Sequence, residues 1–318
     1  MSEHDAPAAQ TGAEAGMSRR VLLAGLGSAA LALPVTRVAH AQPHGHSTPT
    51  PSASAGPATG SGAPLVEPEV RRAAGGELRT TLRVDYTYKD IGGYRLHVRS
   101  YEGTIPAPTL RARPGDVLRI TLVNDLPPNR DNEPADATIP HHFNTTNFHF
   151  HGGHVDPGGI FDNIFRQMEP GQTYDIVIEI PDDHPRGTYW YHPHRHGGAD
   201  IQIASGMVGA LILEGDFDTV PEIADAVERT LVLSTVVFDE YRTVERFETV
   251  WPITAARFLA VNGQRAPTIA MRPGELQRWR LLHAGYQDDY SSSSRSMGCM
   301  SSLSTARLCR PCAVTTAS

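Results

Sequence analysis

One pattern of sixteen residues occurs twice in this sequence and limits the folds that the chain can adopt. Residues 107–122 are APTLRARPGDVLRITL, and residues 266–281 are APTIAMRPGELQRWRL. The two copies align without a gap at an offset of 159 residues. In each, a Pro-Gly turn and an acidic residue lead into an alternating run, which is typical of a turn that enters a β-strand. A repeat of this kind indicates a duplicated structural unit.

Apolar and polar residues alternate over much of the chain between residues 78 and 240. Residues 78–90 (LRTTLRVDYTYKD) show the pattern, which predicts a strand with one buried face. Similar runs stand at 94–103, 116–126, 173–181 and 229–240, and residues 206–215 predict a more continuously apolar strand. Residues 221–229 (PEIADAVER) are the best candidate for one short helix. The sequence therefore predicts an all-β fold made of sandwiches.

The first 41 residues have the features of an export signal. Adjacent Arg19 and Arg20 precede an apolar run at 21–35, and AHA at 39–41 resembles a cleavage site. The run is shorter than the roughly 20 apolar residues that a spanning helix needs. Paired arginines favour the twin-arginine route. We therefore expect a periplasmic or secreted protein with no stable membrane span.

Composition divides the rest of the chain into four segments. Residues 42–76 are rich in Pro, Ser, Gly and Ala, which predicts a disordered linker. Residues 77–216 predict a complete first domain, and residues 217–285 begin the second copy. Residues 286–318 lose the alternation and contain all 3 cysteines, so we expect an aberrant, disordered tail.

The second domain is expected to be incomplete. Residues 123–216 follow the repeat in the first domain, whereas 37 residues follow Leu281 in the second. A frameshift and a genuine disordered tail both account for the change in composition after about residue 285. Cys309 and Cys312 form a C-x-x-C, but no second pair or histidine stands nearby, so chance spacing explains them better than a redox or zinc site.

The charge balance argues against nucleic acid as a partner. The chain has 28 Lys and Arg against 35 Asp and Glu, a net charge of −7. Proteins that bind nucleic acid or anionic membranes through their surface charge show a basic excess instead.

Two histidine motifs point to a metal. NFHFHGG contains His149 and His151, and YWYHPHRHGG contains His192 and His194. Residues i and i+2 of a strand lie on the same face, so each motif presents two imidazoles side by side. Four imidazoles without cysteine favour copper, zinc or nickel, and copper binds such sites most tightly. The imidazoles alone do not decide between these three metals.

Together with two further segments, these motifs resemble the first two cupredoxin domains of multicopper oxidases of the laccase and copper-efflux-oxidase type. The further segments are IPAPTLRARPGDVLRITLVNDLP and VNGQRAPTIAMRPGELQRWRLL. The resemblance covers about residues 78–284. It implies tandem Greek-key cupredoxin sandwiches, the first complete and the second incomplete. It also implies the one-electron oxidation of a reducing substrate, either phenolic or a metal ion, coupled to the reduction of dioxygen to water at a trinuclear copper cluster.

The resemblance also assigns ligands. His149 would bind the type 2 copper, and His151, His192 and His194 would bind the type 3 pair. Asp162, in the sequence FDN, resembles the acid that relays protons to the oxygen-reducing cluster, although an Asx-turn cap is an alternative role. His196 is expected to lie just outside the ligand set, and Trp190 to pack in the core. His154 is expected in a loop, and His141 and His142 at a rim or in solvent.

The sequence departs from the family at its other copper sites. The trinuclear cluster takes eight histidines, half of them from the last domain, which also supplies the type 1 copper through a His-Cys-His run. No histidine follows His283, and no cysteine has a histidine beside it. Two functions of different classes therefore stay open. One is an oxidase completed by another chain or in its native gene, and the other is a non-catalytic exported copper-binding fragment. A zinc hydrolase would need a general base, for which Asp162 is the one candidate.

Overall fold

A computed structural model describes residues 62–285, apart from positions 131–133, 135, 137 and 253. The predicted signal at 1–41 and the predicted tail at 286–318 lie outside the described residues, as does most of the predicted linker.

Twelve strands and a few short helices are present in the part of the chain that the structure describes. The strands are β1 (Val70–Arg72), β2 (Glu77–Ile91), β3 (Tyr94–Tyr101), β4 (Thr109–Ala112), β5 (Val117–Asn124), β6 (His149–His151), β7 (Thr173–Glu179), β8 (Gly187–His192), β9 (Gly209–Leu213), β10 (Val227–Val237), β11 (Arg257–Val261) and β12 (Gln277–His283). The helices are α1 (Ala199–Ala204), α2 (Pro221–Ala224) and α3 (Phe247–Val250), with a 3₁₀ turn at Asp216–Thr219. The prediction of an all-β fold is confirmed.

Two sheets face each other in the first half of the described chain. One has the strand order β3-β2-β5-β7 and the other has the order β1-β4-β9-β8-β6. Alternate residues of β2 and β5, such as Leu82 and Ile120, enter the space between the sheets and are at most 1% exposed. They meet Leu110, Leu211 and Tyr191 from the second sheet. Apolar burial between these two faces is the main term that stabilises the sandwich.

The third sheet repeats part of this topology. Its order β11-β10-β12 corresponds to β3-β2-β5, with one antiparallel and one parallel pairing in each case. The turns before the repeated segments also match, because Glu102-Gly103 and Asn262-Gly263 all adopt positive φ angles. The duplication inferred from the sequence is therefore also present in the strand pairing.

The strand predictions agree with the structure, but the helix prediction at 221–229 is largely wrong. Helix α2 ends at Ala224, and β10 begins at Val227, where it pairs with Gln277 of β12. Pairing with a neighbouring strand therefore outweighs the weak helical preference of this segment.

Strand β1 lies inside the range predicted as a linker. It forms because Val70 pairs in parallel with Thr109 of β4. The backbone of Leu65 similarly donates a hydrogen bond to Thr268 in the second copy of the repeat, at 3.0 Å. The ordered chain therefore begins before the predicted boundary at residue 77.

The third sheet packs on the outer surface of the first sandwich. Val232 of β10 and Leu282 of β12 cluster with Val208, just before β9, and Ala210 of β9, and Trp190 of β8 lies against the same cluster. This packing matters for function because Trp190 stands between the third sheet and the histidine motifs.

No helix among the described residues is long and apolar enough to cross a membrane.

Candidate metal centre

Pairing between β6 and β8 brings the two histidine motifs together. His149 stands directly opposite His192, and His151 stands opposite Trp190. Strand β6 is the edge of the five-stranded sheet, and β8 ends at His192, immediately before Pro193. Proline fixes φ and has no N–H for a ladder bond, so the chain leaves the sheet there and carries His194 beside the other rings.

The four imidazoles form one cluster. Ring centroids lie 5.7 Å apart for His149 and His151, 5.4 Å for His149 and His192, and 5.0 Å for His149 and His194. One ring nitrogen each of His149, His151 and His192 falls within 4.8 Å of the others. The structure therefore brings together the four histidines that the sequence selects.

The closest approach in the cluster joins two ring nitrogens. His151 Nδ1 and His192 Nε2 are 3.0 Å apart. Two ligands of one metal ion stand at about this separation when each metal–nitrogen bond is about 2.0 Å and the angle between them is close to square. This donor set of imidazoles without a thiolate fits a copper ion held jointly by His151 and His192.

Burial favours the neutral form of His192, which is the form of imidazole that binds metal. The pKa of His192 falls from 6.5 to about 3, mainly because burial removes solvent from the ring. A hydrogen bond to the Pro193 carbonyl opposes this shift, and repulsion from the neighbouring histidines adds to it. Burial also lowers the pKa of His151, with added repulsion from His149 and His194. Protons therefore compete weakly with a metal ion at His192.

Asp162 holds His149 in place. Its Oδ2 is 3.0 Å from His149 Nδ1, and its Oδ1 accepts the Phe150 N–H at 2.8 Å. The side chain is 7% exposed, so this pair is well shielded from water. Both carboxylate oxygens bind groups on β6, and His149 keeps Nε2 for a metal. This contact is the orienting bond that metal-binding histidines commonly make through their second nitrogen.

A polar network supports the approach to β6. Gln202, on α1, is fully buried and donates to the carbonyls of Phe143 and Thr145 at 2.9 and 2.8 Å. Asn147 accepts the backbone N–H of His194 at 2.6 Å, which links the two motifs. The sequence analysis did not select either residue. The one available signal was a polar residue inside the apolar run of α1.

The remaining histidines are distributed around the cluster. His196 is exposed beyond the second motif, and His154 is exposed beyond the first. His141 is 6% exposed, with its Nδ1 2.6 Å from the Ile139 carbonyl, so it is a buried loop residue rather than a solvated one. His184, which the sequence analysis missed, is 1% exposed.

Trp190 forms a wall of the cluster. Its indole stacks on His192 with ring centroids 4.1 Å apart and on His151 with centroids 4.6 Å apart. Its other contacts are with the apolar cluster of Val232 and Leu282. The expectation that Trp190 packs in a core is therefore correct, and that core is the contact with the third sheet.

Comparison with known proteins identifies sequences and structures that are similar to this chain. A β-sandwich of this topology with a histidine centre at one sheet edge belongs to the cupredoxin class. Residues 139–217 match the family model described as Multicopper oxidase. The segment that carries the histidine motifs is therefore similar to a domain of multicopper oxidases.

Individual relatives cover limited parts of the chain. Multicopper oxidase mco from Staphylococcus aureus is 31% identical over 116 residues, which is 36% of this chain and 22% of that protein. A copper-containing nitrite reductase from Alcaligenes xylosoxydans xylosoxydans is 30% identical over 154 residues, 47% of this chain and 41% of that protein. The aligned part thus spans between about a fifth and two fifths of the length of these relatives.

Two solved structures share the fold. A laccase from Pediococcus acidilactici Pa5930 superposes with a TM-score of 0.56 at 21% identity, over 72% of this chain and 47% of that one. The McoA multicopper oxidase from Aquifex aeolicus gives 0.53 at 20% identity, over 71% and 46%. At this level of identity the likeness supports the cupredoxin fold.

Proposed function

We propose that this chain supplies the first-domain half of the oxygen-reducing copper cluster of a multicopper oxidase. The observation that carries the proposal is the convergence of His149, His151 and His192, with two ring nitrogens at 3.0 Å. A chance pair of surface histidines would be solvated, whereas His192 is 4% exposed and stacked on an indole.

Each residue has a distinct task in this proposal. His151 and His192 would hold a copper ion, and His149 and His194 would offer further imidazoles to the cluster. Asp162 orients His149 through Nδ1 and, being a carboxylate beside the cluster, is the proposed relay for protons. Bound copper would supply one-electron transfer from a small reducing substrate, phenolic or metallic, to dioxygen.

We propose that further imidazoles and the electron-entry site come from another part of the assembled enzyme. The family resemblance implies eight cluster histidines, and the described residues contribute four of them. A type 1 copper needs a Cys thiolate with two histidines, and Cys299, Cys309 and Cys312 have no histidine beside them. An H-x-x-H-x-H and an H-C-H segment, in a partner chain or in another reading frame after about codon 285, would complete the oxidase.

Copper titration of the full chain tests the ligand set. Wild-type protein should bind Cu(II) with an electron paramagnetic resonance spectrum of nitrogen coordination and without an intense blue band. His149→Ala and His192→Ala should each weaken binding at least tenfold, whereas His196→Ala, which changes an exposed histidine, should not. Equal affinity in all of these proteins would refute the site.

A non-catalytic copper-binding protein is the alternative function. The described residues contain one histidine cluster with a metal-binding arrangement, which is enough to bind copper. Oxygen consumption separates the two functions. Uptake driven by a phenol or a reduced metal ion, after a chain with an H-C-H segment is added, supports the oxidase, and copper binding without such uptake supports the alternative.

We also propose export by the twin-arginine route, on the sequence of residues 1–41. Replacement of Arg19 and Arg20 together by Lys should abolish export and leave folding unchanged, because the pair precedes the predicted cleavage site at 39–41 and would not be part of the mature protein. Normal accumulation of the double variant outside the cytoplasm would refute the route.

A further inference from the structure

His184 is a buried histidine that belongs to neither motif. It lies between β7 and β8, where the sequence is DDHPRG, and it is 1% exposed. A buried histidine beside a metal centre invites assignment as another ligand. Its contacts exclude that role and indicate a different one.

Backbone groups occupy both ring nitrogens of His184. Nε2 accepts the backbone N–H of His154 at 2.9 Å. Nδ1 is 2.8 Å from the carbonyl oxygen of Pro185. An amide N–H can only donate and a carbonyl can only accept, so the proton of the neutral ring resides on Nδ1 and the lone pair on Nε2. Neither nitrogen is left for a metal.

The ring also packs on the residue between two ligands. It stacks on Phe150, with centroids 5.9 Å apart and planes at 17°, and Phe150 is fully buried between His149 and His151 in sequence. Tyr189 meets the ring edge-on at 5.3 Å, and its hydroxyl donates to the same Pro185 carbonyl at 2.8 Å. His184 therefore contacts the strand from behind, on the side away from the imidazole cluster.

The chain that leaves β6 needs such a support. Gly152 has φ +80°, and a Cβ on Gly153 would stand 2.5 Å from the Phe150 ring, so this turn is built from two glycines against an aromatic face. Glycine adds conformational freedom that must be removed elsewhere. The bond from His154 to His184 fixes the chain at the first position after the turn.

We infer that His184 is a positioning residue for the copper site. It fixes the exit of β6 through His154 and the middle of β6 through Phe150, and thereby sets the direction of His151. The inference rests on the proposed copper site. It assigns to the support of that site a histidine with the proton on Nδ1 that does not itself bind the metal.

Three substitutions separate the two bonds in the full chain. His184→Gln places an amide oxygen near the position of Nε2 and can accept the His154 N–H. His184→Asn places an amide near Nδ1 and can satisfy Pro185 alone. His184→Phe keeps the ring stack and loses both bonds. His196→Gln, at an exposed position, is the matched control.

The primary measurement is Cu(II) affinity by competition with a chelator, together with the electron paramagnetic resonance spectrum of the bound ion. Loss of outer-shell partners of a metal site typically costs about 10- to 100-fold in affinity. We expect His184→Asn and His184→Phe to lose about this much, with an altered copper hyperfine pattern. His184→Gln should stay within about threefold of the wild type. Equal affinity and spectra for the Gln and Asn variants would overturn the inference, even if the Phe variant fails to fold.

A second measurement needs no copper. Nitrogen NMR of the metal-free chain should show the Nδ1–H tautomer at His184, and amide exchange at His154 should accelerate in the Asn variant but not in the Gln variant. An Nε2–H tautomer would refute the assignment. If the wild-type chain binds no copper, the proposed function fails. If it binds copper and the variants all match it, the role of His184 fails alone.

Discussion

The indole of Trp190 lies flat against the imidazole of His192, with ring centroids 4.1 Å apart and planes at 26°. The same indole covers His151 at 4.6 Å. Because Trp190 also packs against Val232 and Leu282 of the third sheet, two proposed ligands share a wall that rests on that sheet. The third sheet thus contributes to the site without supplying a ligand.

Copper binding should quench the fluorescence of Trp190. A paramagnetic ion held by His151 and His192 would lie within a few ångströms of the stacked indole, where quenching is efficient. We expect addition of one equivalent of Cu(II) to reduce the tryptophan emission of the full chain, as measured in a fluorescence titration.

A second tryptophan, Trp279, supplies the control. Trp190→Phe should remove most of the quenching, whereas Trp279→Phe should preserve it because Trp279 lies on β12 outside the cluster. Quenching that persists undiminished in Trp190→Phe would show that copper binds elsewhere.

Asp162 should govern copper affinity through His149. Its two oxygens bind His149 Nδ1 and the Phe150 N–H, so Asp162→Ala removes the orienting bond and leaves a buried amide without its partner. We expect about a 10- to 100-fold loss of Cu(II) affinity, the usual effect of removing such a partner. Chelator competition measures the loss.

The control for this prediction is an acid of similar size away from the cluster. Asp175 of β7 accepts a hydrogen bond from Thr121 of β5, in the sheet that does not carry the histidine motifs, and Asp175→Ala should leave copper affinity unchanged. Wild-type affinity in Asp162→Ala would contradict the orienting role.

The position of the histidine site was predictable from the sequence because the spacing of two is a local property of a strand. His149 and His151 share a face by backbone geometry alone, and the repeat fixes the strands on which the sheet is built. What the spacing does not contain is the register between β6 and β8, which sets His149 opposite His192. Here the resemblance to a family supplied what the pattern lacked.

The supporting residues were not predictable in this way. Gln202, Asn147 and His184 act through backbone groups 30 or more residues away in the chain, as in the bond between His184 and His154. Such contacts depend on tertiary packing and leave no periodic signal. Asp162 was selected as a candidate, but its engagement of both His149 and Phe150 appears only in three dimensions.

The metal-free protein should lose stability as the pH falls below about 6.5, in part through His192. Its pKa is about 3 in the folded chain and near 6.5 when unfolded, so the unfolded chain binds the extra proton between these values. Stability from this group is therefore present above about pH 6.5 and is lost toward pH 3. Between pH 7.5 and pH 5 one such group accounts for up to about 2 kcal/mol.

Urea unfolding at the two pH values, compared with His192→Gln, measures this contribution. The variant should show a smaller decrease on acidification than the wild type, whereas His196→Gln at an exposed position should not differ from it. Parallel pH dependence in wild type and His192→Gln would show that the ring is not buried in the neutral form.

The final prediction concerns the attachment of the third sheet. Arg280 of β12 is 5% exposed in its side chain, and its Nη2 is 2.5 Å from Asp218 Oδ1. Its Nη1 donates to the Thr188 hydroxyl on β8 at 3.2 Å, so this guanidinium joins the sheet to the sandwich next to Trp190. Arg280→Met should lower the free energy of unfolding by about 1.5–3 kcal/mol, because Asp218 loses its bond to a buried guanidinium and keeps the ion pair with Arg278. Arg79→Met is the matched control, since Arg79 makes an ion pair with Glu77 while 72% exposed, and such surface pairs contribute about 0–1 kcal/mol.

Urea unfolding compares the stability of the two variants. Arg280→Met should also reduce the copper-dependent quenching of Trp190 fluorescence. If Arg280→Met is no more destabilising than Arg79→Met, the network does not fasten the third sheet, and the coupling of that sheet to the histidine cluster must come from apolar contact alone.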